Sequence, residues 1–138
     1  MRGRRAALPI VFLTFLSACG EEGVPTGNIV TPKERYIQQA DALCRDYADA
    51  ALGAQVAYRD ASAKERAKIR RELAAKGEKV QAKVEALPRP ETEDQDLLPA
   101  IFRKMRKQLE ALRAGKPMAA AGLDELASRY GFDVCGQG

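Results

Sequence analysis

Residues with apolar or small side chains recur along the chain at Ile37, Ala40, Cys44, Tyr47, Ala51, Ala54 and Tyr58, at spacings of 3, 4, 3, 4, 3 and 4. That rhythm keeps every one of them on one side of an α-helix for about six turns, whereas a strand would scatter them over both faces. A chain with such a seam must place other elements against it. Tyr36 and Leu43 widen the stripe, and its many alanines allow a neighbouring helix to come close. Gly53 weakens the helix without stopping it. The start is marked by Thr31-Pro32-Lys33-Glu34. Thr31 suits the cap, Pro32 the first helical position, and Glu34 completes a capping box three residues on.

Ser62-Ala63-Lys64-Glu65 is a second such box. It predicts a helix carrying Ile69, Leu73, Val80, Val84 and Leu87 on one side and ended by Pro88 and Pro90. Thr92-Glu93-Asp94-Gln95 reads as a third box, and the acids Glu91, Glu93, Asp94 and Asp96 suit a helix N-terminus. Leu98, Ile101, Met105, Leu109 and Leu112 form the next apolar face, with Pro99 bending its first turns and Gly115 closing it. A short fourth helix is expected over Pro117–Tyr130, capped by Gly131. The expected fold class is therefore all-α: a small up-down bundle of three to four helices, residues 31–138.

Residues 1–30 follow another pattern. Met1–Arg5 reads M-R-G-R-R, and Ala6–Ala18 is an apolar stretch of 13 residues. A membrane-spanning helix needs about 20, so the stretch has the length of a signal-peptide core. It ends in Leu16-Ser17-Ala18-Cys19, which resembles the bacterial lipobox: an aliphatic residue, two small ones and a cysteine. The small residues let the chain lie extended in a peptidase cleft, and the cysteine sulfur is the atom that receives the lipid. The expectation is a signal peptide over residues 1–18, removed before Cys19, and a diacylglyceryl group on that cysteine. Two acyl chains anchor stably where one does not. Gly20–Val30, rich in glycine and acids, reads as a flexible tether, so residues 19–30 join lipid to domain.

Charge has to be read after that removal. Taking Arg2, Arg4 and Arg5 from the 23 basic residues leaves 20 against 19 acidic ones, a balance near +1. The basic surplus belongs to export and argues for no nucleic-acid partner. Histidine and tryptophan are absent, and Ser62 and Ser128 are the only serines after Cys19. A Ser-His-Asp triad, a Cys-His pair and a histidine metal site are excluded within this chain. No enzyme activity and no cofactor are expected.

Tyr36–Tyr47 (YIQQADALCRDY), Ala86–Leu97 (ALPRPETEDQDL) and Ala127–Gly136 (ASRYGFDVCG) resemble a family of small exported helical proteins common in actinobacteria. Its members open on an A-D-A-I/L-C-like helix, break at A-L-P-x-P and finish in a Y-G-aliphatic-x-V-C-G-like end. The resemblance spans most of residues 33–136 and implies an exported helical domain with no assigned activity. Phe132 stands where an aliphatic residue is usual.

With Cys19 taken by lipid, Cys44 and Cys135 remain, an even number in a compartment where thiols oxidise. A bridge would tie the chain end to the first helix; two separate buried thiols are the alternative. No C-x-x-C spacing suggests redox work. Arg103, Lys104, Arg106 and Lys107, with Lys64, Arg66, Lys68, Arg70 and Arg71, could face anionic headgroups, although a solvated helix face explains them as well. Asp41 and Arg45, four apart, are expected to pair on the surface. Asp46, Asp49 and the Glu91–Asp96 cluster lack the spacing of a calcium loop. Tyr36, Tyr47, Tyr58 and Tyr130 read as core, or as the lining of a small-molecule pocket. The expected function is a membrane-anchored, extracytoplasmic, non-enzymatic interaction module with an envelope protein as its possible partner. The alternative is a carrier or sensor of a small apolar ligand held between the helices.

Overall fold

In a computed structural model of the chain, residues 29–117 and 121–136 are described. They form four helices: α1 (Pro32–Arg59), α2 (Ala63–Glu85), α3 (Leu97–Ala114) and α4 (Leu123–Tyr130). No strand occurs among the described residues, and none of their helices is long and apolar enough to cross a membrane.

The first two capping boxes form as the sequence reading expects. The Thr31 N–H donates to Glu34 Oε2 at 2.7 Å, and the Glu34 N–H donates to Thr31 Oγ1 at 3.1 Å. Ser62 and Glu65 repeat the exchange at 2.8 and 3.4 Å. These bonds hold both glutamates below the usual carboxylate range, Glu34 chiefly through the Thr31 backbone and Glu65 chiefly through the Ser62 side chain. The C-terminus of α1 is closed from outside. Arg66 donates to the carbonyls of Tyr58 and Arg59, both at 3.1 Å, and its guanidinium lies 5.1 Å from the Tyr58 ring centre. A cation among the last carbonyls of a helix also opposes its macrodipole.

The third box does not cap a helix. Residues 93–96 form successive turns, in which the N–H groups of Gln95, Leu97 and Leu98 donate to carbonyls three residues back, and α3 begins only at Leu97 behind an Asp96 that makes no side-chain cap. Pro99 explains the delay. Its nitrogen has no hydrogen for the Gln95 carbonyl four residues earlier, and its ring crowds that position. The Leu98 N–H takes the Gln95 carbonyl instead, at 3.2 Å. The fourth helix is likewise shorter than expected, starting at Leu123 after Gly122, whose φ is +81°.

Successive helices run antiparallel. Glu78 pairs with Arg113 and Glu85 with Arg106, so α3 returns along α2, and Lys104 of α3 donates to the Ala121 carbonyl just before α4. The core is placed off-centre. Its members are Tyr36, Ala40 and Cys44 of α1, Val80 and Val84 of α2, Leu98, Ile101 and Phe102 of α3, Leu123, Ala127 and Tyr130 of α4, and Phe132 and Cys135 beyond it. Three rings meet at its centre: Tyr36 and Tyr130 edge to face at 6.1 Å, with Phe132 4.9 Å from Tyr130. All of this lies near the end where α1 begins. Past Cys44 no residue of α1 is buried, and the first buried residue of α2 is Ala74. Gly115 at the end of α3 sits against Arg70, so the last turns of α1 and the first of α2 extend past α3 as a two-helix arm.

The two helical glycines are expected to answer alanine with opposite signs. A Cβ on Gly53 would meet nothing within 4 Å, so Gly53→Ala should stabilise by about 0.5–1 kcal/mol. A Cβ on Gly77 would lie 2.4 Å from Leu109 Cδ2 and 2.9 Å from the Tyr47 ring. Displacing two packed side chains costs about 1–3 kcal/mol, more than the helical gain of about 1. Urea titrations of G53A and G77A check both signs.

Candidate functional site

Asp41 stands three residues before Cys44, on the same side of α1. Gly131, at a φ of +107°, turns the chain out of α4, and a Cβ there would come within 3.1 Å of Ile37 Cδ1. Residues 132–135 then cross α1 as a strap. The N–H of Asp133 donates to Asp41 Oδ2 at 2.9 Å, while those of Val134 and Cys135 donate to Oδ1 at 3.1 and 2.8 Å. Successive amides aimed at one carboxylate make an anion nest, and the anion is supplied by the protein itself. Cys44 and Cys135 are joined by a disulfide, with 5.3 Å between their Cα atoms. Asp41 is 6 % exposed and Cys135 1 %.

The Asp41–Arg45 surface pair is thus corrected. Asp41 is buried under the strap, and its oxygens take three backbone amides, partners 92 to 94 residues away. Both of its oxygens being taken, it is poorly placed to act as a base. A carboxylate on an apolar seam, one turn from a cysteine, was the available signal.

The other candidate residues hold the bundle together or stay solvated. Arg106 and Arg113 are paired to α2, Arg66 caps α1, and Arg70 donates to the Tyr58 hydroxyl at 2.8 Å. Lys68 pairs with Glu72, while Arg103, Lys107, Lys64 and Arg71 are exposed. Asp94 of the acidic cluster pairs with Lys33, whose hydrogen bond holds that carboxyl below its ordinary range. Asp46 and Asp49 face Lys76, Lys79 and Lys83 across an open hollow of about 410 Å³ between α1 and α2. A second open hollow, of about 380 Å³, is lined by Ala100, Arg103, Lys104, Lys107 and Ala121. Among the described residues no group of three or more Cys, Asp or Glu side chains is placed to hold a metal ion. The lipobox residues Leu16, Ser17, Ala18 and Cys19 lie outside the described residues.

Of the tyrosines, Tyr36 and Tyr130 are core residues, 2 % and 0 % exposed, and Tyr47 and Tyr58 are half-buried. Burial pushes the Tyr130 hydroxyl up to about 12, and Tyr36 and Tyr47 move the same way for the same reason. An unfolded tyrosine ionises near 10, so between there and about 12 the unfolded chain has lost a proton that the folded one keeps. Stability from Tyr130 is therefore complete below pH 10 and is lost as the pH rises towards 12, by on the order of 2 kcal/mol. Tyrosinate absorbance and circular dichroism should change together in that window, and Tyr130→Phe should soften the transition.

Comparison with family models, curated proteins and solved structures returned no match.

Proposed function

We propose that this chain is a lipid-anchored, non-enzymatic interaction module on the outer face of a bacterial cytoplasmic membrane. The observation that carries the reading is the Cys44–Cys135 disulfide, which closes the fold around its own core. Bridges of this kind form and persist where thiols are oxidised, outside the cytoplasm. Residues 1–19, with their basic start, short apolar stretch and Leu16–Cys19, would send the chain there and fix it by the remaining cysteine. The helices would then present solvated faces to an envelope partner. The apolar-carrier alternative has no such support, because Tyr36 and Tyr130 pack against each other and Phe132.

The test is Cys19→Ala in cells fed a fatty-acid analogue. The wild type should take up label and fractionate with membranes, while the variant should remain an unlabelled, uncut precursor. Equal labelling of the two would overturn the anchor. Crosslinking on intact cells, followed by pulldown through the wild-type chain, would then name the partner.

A further inference from the structure

The two open hollows are of similar size and opposite in charge logic. On the wall between α1 and α2, three lysines look across at Asp46 and Asp49. On α3 the lining is Arg103, Lys104 and Lys107 with two alanines and no carboxylate. The same helix sends Arg106 and Arg113 to Glu85 and Glu78, so its α2-facing cations are neutralised. Arg103 and Lys107, one turn apart, have no ion pair among the described residues. Lys104 is steadied beside them, its Nζ donating to the Ala121 carbonyl at 2.9 Å, which leaves further hydrogens on that ammonium for another acceptor. A guanidinium and two ammoniums around one concavity match the oxygens of a phosphate ester.

We propose that the Arg103–Lys104–Lys107 hollow seats the phosphodiester headgroup of an anionic phospholipid in the membrane that carries the anchor. The proposal rests on the anchored reading above, and placement favours this source of phosphate. Lys33 of α1 pairs with Asp94 just before α3, so both helices start at the same end of the bundle. Arg103 and Lys107 therefore lie about 9 and 15 Å along the axis from that end, at 1.5 Å per residue. The 12 residues from Gly20 to Thr31 span at most about 40 Å, enough to lay this flank of α3 on the bilayer. Each basic residue at an anionic surface adds about 1 kcal/mol, a weak contact alone and an orienting one on a tethered domain.

A test can be made independent of natural lipidation. The chain from residue 20 keeps every helix and the whole core, and it contains no histidine. With an N-terminal polyhistidine tag it can be held on nickel-chelating vesicles of phosphatidylglycerol or of phosphatidylcholine. Acylation of each lysine is then followed by mass spectrometry. Lys107 should react about fivefold more slowly on phosphatidylglycerol, while Lys76 and Lys79 change less than about twofold. Arg103→Glu should return Lys107 to its phosphatidylcholine rate. No protection at Lys107, equal protection at Lys76 and Lys79, or indifference to R103E would each overturn the proposal. Equal protection by inorganic phosphate without vesicles would overturn the lipid as occupant. Failure of Cys19 labelling in cells would leave this vesicle result standing and strike only the anchor.

Discussion

Cys135→Ser should lower the melting temperature by about 16 to 40 °C. The bridge joins residues 91 apart, and closing a loop of that length stabilises by about 4 to 5 kcal/mol in the chain-entropy model. In a domain of about 100 residues each kcal/mol moves the midpoint by roughly 4–8 °C. What the bond fastens is a strap with little burial of its own: Phe132 is buried, Val134 half-buried, and Asp133 exposed. Burying Phe132 and half of Val134 gives roughly 2 to 4.5 kcal/mol, and ordering the four backbone residues 132–135 costs about 4 to 8. Without the bond, amide exchange should rise first over residues 123–136, before the middle of α2 and α3 responds. Free-thiol counting on unreduced, denatured wild type checks the premise. Reactive thiols at both Cys44 and Cys135 would refute the bridge.

Asp41→Ala should cost about 3 to 5 kcal/mol, far more than an exposed carboxylate would. Three amides lose a charged acceptor, each such bond being worth about 1.5–3 kcal/mol before allowance for non-additivity. Asp41→Asn keeps one acceptor oxygen and should fall between. The two fastenings hold the same strap, so they should not add. In a Cys135→Ser background the strap is loosened and Asp41 gains water, and D41A should then cost at least about 1 kcal/mol less than in the wild type. Urea unfolding of the four proteins in one double-mutant cycle measures that coupling. Strict additivity would mean that the carboxylate and the bridge act on separate parts of the fold.

How far the sequence could be read depended on where each residue's partner lay. The seam from Ile37 to Tyr58 and the boxes at Thr31 and Ser62 have partners within one or two turns, and each formed. Cys44 and Cys135 could be paired across the chain because so few cysteines were available. Asp41 offered no such restriction. Arg45 was a plausible neighbour at four residues, whereas its actual partners are backbone amides that any residue type supplies. The box at Thr92 failed through a local conflict, its pattern sound and Pro99 vetoing the register. The seam itself is only partly buried. It continues past Cys44 into an arm that α3 is too short to cover, and lengths in space were not encoded in its rhythm. The hollow on α3 was hidden for a related reason: whether Arg103 or Arg106 meets a glutamate depends on which way each faces across to α2.

Because the strap follows all four helices, this fold has an order in time. A ribosome adds about 5–20 residues each second, so Asp41 exists for several seconds before Cys135 is made. Until then α1 carries a carboxylate and a thiol whose partners do not exist, and Tyr36 lacks both of its ring neighbours. The native core cannot close around a partial chain. Helices α1 to α3 can pack on one another before then, but the seal over Tyr36 and Asp41 waits for the strap. Deleting residues 132–135 would remove Phe132, the bridge and all three amides on Asp41 at once, and should therefore damage the fold more than either single substitution.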